Sequence, residues 1–277
     1  MKIKSLVPLL SLALLQACGG SDDDNPAFKT LSGNAPLVIG HRGSSGTLPE
    51  HTLESYKAAI EQGADYIEPD LVLTKDGVMI ARHEPMLDGT TDVASKFPES
   101  RKSTRNVDGV PTTAYFASDF TLAEIRTLRA LQARANRSQA YNGLFGIPTL
   151  DEVIALAKSE GTRLGRTVGI YPEIKHSTFH ADEVRFGANV FEDKLLTTLH
   201  TAYGNVASAP VFIQSFEVSN LQYLNTKTNI KLVQLIDCQG GPFDLRSQGV
   251  TYAQLVTADG LRAIGRYADQ VGFCKNV

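Results

Sequence analysis

The chain has 277 residues, 42% of them hydrophobic, which is enough for one large core or two modest ones. Its 27 basic and 30 acidic residues leave a net charge of −3. That balance excludes the broad basic face needed for nucleic-acid binding through counterion release, but not a small anion held by one or two cations. Tryptophan is absent, and no apolar run reaches the roughly 20 residues of a membrane-spanning helix.

Lys2 and Lys4 precede a short apolar stretch, Leu6 to Leu15, which meets small residues and a cysteine in LLQACGGSDDDN. Positive start, short apolar middle and small-residue boundary predict an export signal over residues 1–17. Leu15-Gln16-Ala17-Cys18 resembles a bacterial lipoprotein signal, which implies cleavage before Cys18 and lipid on its thiol. The alternative is ordinary secretion with Cys18 free. Residues 18–35, rich in Gly, Asp, Asn and Ser, then form a flexible tether. The expected location is the periplasm or cell envelope, at a membrane through a lipid anchor. Export leaves Cys238 and Cys274 as an even pair in an oxidising compartment. They can be bridged as a disulfide or stay as two small buried thiols.

From residue 36 onwards, β-branched apolar runs alternate with helical patterns. Strands are predicted over 36–41, 65–74, 78–83, 168–174, 211–216, 231–237 and 269–273. HTLESYKAAIEQG places Leu53, Tyr56 and Ile60 on one stripe and stops at Gly63. Thr121 with Glu124 and Thr149 with Glu152 have capping-box spacing at the starts of two further helices, and a long helical pattern fills 183–203. Sustained alternation predicts an α/β fold with parallel strands. Candidate functional residues fall at the ends of several strands, which favours a (β/α)8 TIM barrel over an open doubly wound sheet. Residues 86–120, polar and without periodicity, read as an insertion over the barrel rim.

The chemistry-bearing residues sit at those strand ends. Glu68 and Asp70 flank Pro69; two apart in a strand, they point to one side, and the proline places them where pairing stops. Glu173, between Pro172 and Ile174 with Lys175 after it, repeats the device. Three carboxylates suit a hard divalent cation, Ca2+ or Mg2+, better than zinc, for which no His/Cys ligand spacing exists. Alone, each would read as an exposed polar strand residue or a surface ion pair. His41 and His83 each end a predicted strand and can supply a base and an acid near neutral pH. Arg42 offers a fork of donors to a phosphate, and Gly43 and Gly46 let backbone amides approach an anion.

The segment GHRGSSGTLPEHTLESYKAAIEQGADYIEPDLVLTKDGVMIARHEP, with IPTLDEVI and GIYPEIKH further on, resembles the glycerophosphodiester phosphodiesterase family over residues 36–277, most of all its bacterial periplasmic branch. The resemblance implies a TIM barrel that hydrolyses glycerophosphodiesters to glycerol 3-phosphate and an alcohol with one divalent cation, calcium rather than magnesium in this branch. By the same likeness His41 and His83 match the catalytic histidines, Arg42 the phosphate-binding arginine, and Glu68, Asp70 and Glu173 the metal ligands. Glu50 and Lys175 match further site residues. Of the other histidines, His180 is a candidate substrate neighbour, while His51, His176 and His200 read as structural or superficial. Residue 84 is glutamate where many members have aspartate. After YADQVGFCKNV, members continue with one or two strand–helix units that this sequence lacks. The expectation is a barrel of six strands, or seven if 78–83 counts, in an incomplete sequence with two open sheet edges.

The expected activity is metal-assisted phosphodiester hydrolysis, with His41 as base and His83 as acid. Two rivals stand beside it: a phospholipase-type lyase on the same barrel, and a surface-anchored binding protein without turnover.

Overall fold

The computed structural model describes residue 30 and residues 33–275. The expected export signal, Cys18 and nearly all of the tether lie outside them. In chain order come β1 (Ile39–His41), α1 (Leu53–Glu61), β2 (Tyr66–Glu68), β3 (Asp70–Leu73) and β4 (Met79–Ala81). Next are α2 (Val93–Lys96), β5 (Ser103–Val107), β6 (Val110–Ala114), α3 (Leu122–Ile125), α4 (Leu150–Leu164), β7 (Gly169–Ile170) and β8 (Glu173–Ile174). Then follow α5 (Val190–Tyr203), β9 (Phe212–Ser215), α6 (Ser219–Asn225), β10 (Lys231–Ile236), α7 (Tyr252–Leu255), α8 (Ala258–Ile264) and β11 (Gln270–Phe273).

Proline has no N–H to give a ladder, and it splits two of the predicted strands. β2 and β3 are one run interrupted at Pro69, and β7 and β8 one run interrupted at Pro172. Both prolines still accept: Glu173 N–H donates to Pro69 O and Gln214 N–H to Pro172 O, each at 2.9 Å. Among the described residues, six parallel runs lie side by side in the order β1, β2–β3, β7–β8, β9, β10, β11. This is a (β/α) barrel short of closure. Among the described residues β1 pairs with β2 alone and β11 with β10 alone. Leu37, at 58% exposure, with Val38 and Ile39 marks one edge, and Phe273, at 52%, the other.

β4 runs antiparallel to β3, so the segment 78–83 adds no seventh barrel strand. The turn at Thr74–Gly77, closed by Gly77 N–H donating to Thr74 O at 2.9 Å, is far too short for the crossover that a parallel neighbour needs. The helices bury Tyr56, Ile60, Val153, Ala157, Leu195 and Leu199 against Ile67, Leu71, Ile170 and Ile213 of the strands. This packing fixes the strand ends that carry the polar residues.

Three elements differ from the sequence expectation. Both capping boxes form, but α3 spans four residues, because Arg129 N–H donates to Asp92 Oδ1 at 2.7 Å and Ala130 bridges to Thr91. α5 begins at Val190 and not at 183, since Gly187 and Asn189 take left-handed backbone at φ 97° and 61°. Residues 86–120 are ordered: they hold the β5–β6 hairpin, and Leu87, Val93, Tyr115 and Phe120 pack with Val72 and Ile80 into a second core.

Candidate active site

Strand register assembles the site. His41 pairs with Glu68, and Asp70 with Glu173, which pairs in turn with Gln214. Registered neighbours lie about 4.8 Å apart across a sheet, and Glu68 and Asp70 share one face of their run. One oxygen from each of Glu68, Asp70 and Glu173 therefore comes within 4.8 Å of the other two, in a buried cluster. Lys175 Nζ lies 2.7 Å from Glu173 Oε1 and 3.8 Å from Asp70 Oδ1. Gln214 Nε2 donates to Glu68 Oε1 at 2.8 Å.

The cluster carries more negative charge than its surroundings neutralise. Burial, then the charges of Asp70 and Glu173, push the Glu68 carboxyl well above its ordinary value. Burial lifts Glu173 to about 8, against the pull of Lys175 and with a push from Asp70. Burial opposes the charge on Asp70 too, but Lys175 and His51 outweigh it and hold that group well below the usual range. Asp70 Oδ1 is buried without a hydrogen-bond partner. An orphaned oxygen among crowded carboxylates fits a hard divalent cation, with Glu68, Asp70 and Glu173 as its donors.

Arg42 leans over this cluster. Its Nη1 is 3.3 Å from Glu50 Oε2, its Nε is 3.3 Å from Asp70 Oδ2, and its backbone N–H donates to Glu68 Oε2 at 2.9 Å. Burial weakens its charge, yet Asp70 and Glu50 more than compensate and its pKa rises. The loop that presents it turns through left-handed backbone at Arg42 (φ 59°) and Gly43 (φ 82°). A Cβ at Gly43 would fall 2.5 Å from Ser55 Oγ and 2.6 Å from Ser55 C, so only glycine fits there. Two backbone amides of this loop are spent inside the turn. Gly43 N–H donates to Gly40 O and Ser44 N–H to Ser55 O, each at 2.9 Å, and Gly46 is exposed.

His41 ends β1 as a residue open to solvent on one side, and its partial burial, followed by the charge of Arg42, lowers its pKa. His83 is half-buried two residues beyond β4, and its Nδ1 lies 2.7 Å from Glu84 Oε1. A positive charge on the His83 ring acts to lower the pKa of His41, Glu50 and Asp70. Cys238 and Cys274, just past β10 and β11, are joined as a disulfide across a Cα–Cα distance of 5.3 Å. Cys18 lies outside the described residues.

Several participants have no obvious signal in the sequence. His51, which reads as structural or superficial, is wholly buried and holds Asp70 Oδ2 at 2.9 Å through Nε2 and Tyr56 Oη at 2.7 Å through Nδ1. Arg82, also buried, donates through Nη2 to Glu50 O at 2.7 Å and His51 O at 3.1 Å. Its basic side chain in the apolar run VMIARH, like Gln214 in VFIQSF, is the only available hint.

His180 is no substrate neighbour. It is buried among the rings of Phe179, Phe186 and Phe191, and neither ring nitrogen has a hydrogen-bond partner. Burial drops its pKa to about 3. The unfolded chain binds this proton first, near pH 6.5, so stability falls as pH drops from there toward 3, by about 1.4 kcal/mol per pH unit. His180→Phe is expected to raise the melting temperature at pH 5 more than at pH 8. Equal shifts at the two pH values in thermal melts would contradict this account.

The sequence model of the glycerophosphoryl diester phosphodiesterase family matches residues 41–263. The chain is 42% identical over 255 residues to a glycerophosphodiester phosphodiesterase of Arabidopsis thaliana, covering 86% of this chain and 67% of that one. It is 36% identical over 254 residues to a glycerophosphodiester phosphodiesterase of Haemophilus influenzae, covering 85% and 66%. The chain thus spans about two-thirds of the length of these relatives. Among solved structures, it is similar in fold to a candidate glycerophosphoryl diester phosphodiesterase of Silicibacter pomeroyi (TM-score 0.62, 20% identity, 86% of this chain and 74% of that one). An Oleispira antarctica phosphodiesterase, solved with the product sn-glycerol-3-phosphate, is also similar (TM-score 0.54, 22% identity, 87% and 84%).

Proposed function

This chain belongs to the glycerophosphoryl diester phosphodiesterase family, and from that premise we propose that its rim site hydrolyses glycerophosphodiesters to glycerol 3-phosphate and an alcohol with the help of one divalent cation. The observation that carries this reading is the convergence of Glu68, Asp70 and Glu173 within 4.8 Å beside Arg42. A cation bound there supplies Lewis-acid neutralisation of a non-bridging phosphate oxygen. All three donors are hard carboxylates, and calcium is the ion we assign to them ahead of magnesium.

Arg42, steered by Glu50 and Asp70, holds a second phosphate oxygen and stabilises charge as it builds in the transition state. His41, whose lowered pKa favours the neutral ring at pH 7, takes a proton from the nucleophile, either water itself or the glycerol 2-hydroxyl with water opening the cyclic ester afterwards. His83, fixed through Nδ1 by Glu84, gives a proton from Nε2 to the leaving alkoxide, which departs as the alcohol. Lys175 sits against Glu173 and Asp70 and offsets the charge of the donor set.

The leader-like run Lys2–Ala17 and Cys18 support the same enzyme as an exported, lipid-anchored protein of the bacterial periplasmic branch. The decisive test is an assay on glycerophosphocholine before and after removal of divalent ions. Release of glycerol 3-phosphate that stops on chelation and returns with calcium is expected. A cyclic product would indicate the lyase, saturable binding without product a binding protein, and undiminished turnover in chelator would reject the cation.

A further inference from the structure

Residues 86–120 place the β5–β6 hairpin near the rim, and its turn residue Asp108 reaches back toward the site. Asp108 Oδ2 lies 2.9 Å from His176 Nδ1. His176 Nε2 lies 3.6 Å from Glu84 Oε2, and the other oxygen of Glu84 lies 2.7 Å from His83 Nδ1. Carboxylate and imidazole alternate along this path, from the exposed hairpin tip to the general acid. Two of its members, Asp108 and His176, hold left-handed backbone at φ 48° and 49°; for Asp108, followed by Gly109 at φ 88°, this is the conformation a two-residue hairpin turn requires. The hairpin is also tied down away from the path, where Arg105 of β5 pairs with Asp119 and donates to Glu183 O at 3.2 Å.

We propose that Asp108 is a positioning residue for His83, acting through His176 and Glu84, so that the β5–β6 hairpin sets the orientation of the general acid. The proposal rests on the phosphodiesterase reading given above. Charge on the path agrees with it. Burial alone would discharge His176, but Asp108 and Glu84 lift its pKa to about 9. The close imidazole of His176, and then the hydrogen bond from His83, keep Glu84 ionised far into acid. At neutral pH a charged His176 therefore faces an ionised Glu84, which meets the His83 ring. No proton needs to travel along it. Glu84 orients His83 by accepting at Nδ1, and His176 and Asp108 hold Glu84 in place, as outer partners hold a ligating or catalytic histidine elsewhere.

Steady-state kinetics on glycerophosphocholine with calcium test it in wild type, Asp108→Asn, Glu84→Gln and the double variant. Asparagine tolerates left-handed backbone, so the turn survives the first substitution. Each single variant is expected to lower kcat by about tenfold with KM within twofold, since the general acid acts in the transition state. The double variant is expected to lose no more than Glu84→Gln alone, because the same path is cut once. An unchanged kcat in Asp108→Asn, or losses that multiply in the double variant, overturns the proposal. A wild type inert on the diester overturns the parent reading, and a readout independent of turnover then decides the positioning role. Nitrogen-15 spectra of the His83 ring are expected to show Nδ1 as the fixed donor in wild type and a disturbed ring in Asp108→Asn. An undisturbed ring overturns the proposal even in an inactive protein.

Discussion

Glu173→Gln is expected to lower kcat/KM on glycerophosphocholine by about 1,000-fold while leaving the cation-free fold as stable as wild type or more so, since one preorganised electrostatic partner is commonly worth a factor of 100 to 1,000. The opposite signs come from one cause. Without a cation, Glu173 is surrounded by burial and by Asp70, and its pKa rises to about 8. Folded protein then binds a proton that the unfolded chain releases near pH 4.5. This contribution is full below pH 4.5 and is lost as pH climbs toward 8, by about 1.4 kcal/mol per pH unit. Glutamine keeps the shape without the charge and removes that loss. Thermal melts in chelator at pH 6 and pH 8 are expected to separate for wild type and to coincide more nearly for Glu173→Gln. Added calcium should raise the wild-type midpoint at pH 8 and leave the variant almost unmoved. A variant stabilised by calcium as strongly as wild type would show that the ion binds elsewhere.

The carboxylate cluster was legible because its signals are local. Glu68-Pro69-Asp70 puts two carboxylates on one face beside a residue that stops pairing, and Tyr171-Pro172-Glu173 repeats this on the neighbouring run. Period two and the missing proline N–H then carry the argument from residue to rim. The parallel order of strands followed likewise from alternation of short apolar runs with capped helices. What stayed hidden depends on contacts between distant segments. His51 is one histidine among six, and only the fold shows that its ring closes on Asp70, 19 positions away. Residues 86–120 lacked a period because their apolar side chains serve a small core of irregular segments, shared with Val72 and Ile80. The hairpin role of 78–83 was hidden for a different reason. An apolar run of four residues reads alike in parallel and antiparallel pairing, and only the length of the turn before it separates the two.

Arg82→Leu is the substitution expected to damage the fold most among the site residues. The side chain is fully buried, and its guanidinium donates to Ala81 O at 2.6 Å, Thr90 O at 3.3 Å, Glu50 O at 2.7 Å and His51 O at 3.1 Å. It has no carboxylate in direct contact among the described residues; burial lowers its pKa, and the charge of Glu50 partly restores it. Leucine fills part of the volume but donates nothing, so the carbonyls of Glu50 and His51 lose the donor that holds them. Leaving buried acceptors unsatisfied costs about 1–3 kcal/mol each, which sets the expected loss at about 3 kcal/mol. For a chain of this size that lowers the melting temperature by about 6–12 °C. Activity should suffer even where the variant stays folded, because the same loop orients Glu50 against Arg42 and His51 against Asp70. The sharpest comparison is with Arg82→Lys, which retains the charge but supplies one donor centre where the guanidinium spreads three nitrogens. If the lysine variant melts with wild type, charge alone supports the loop and the argument from fixed donor geometry fails. If both variants melt early while assays well below their midpoints show a reduced kcat, the loop has lost its shape and the paired carboxylates their aim.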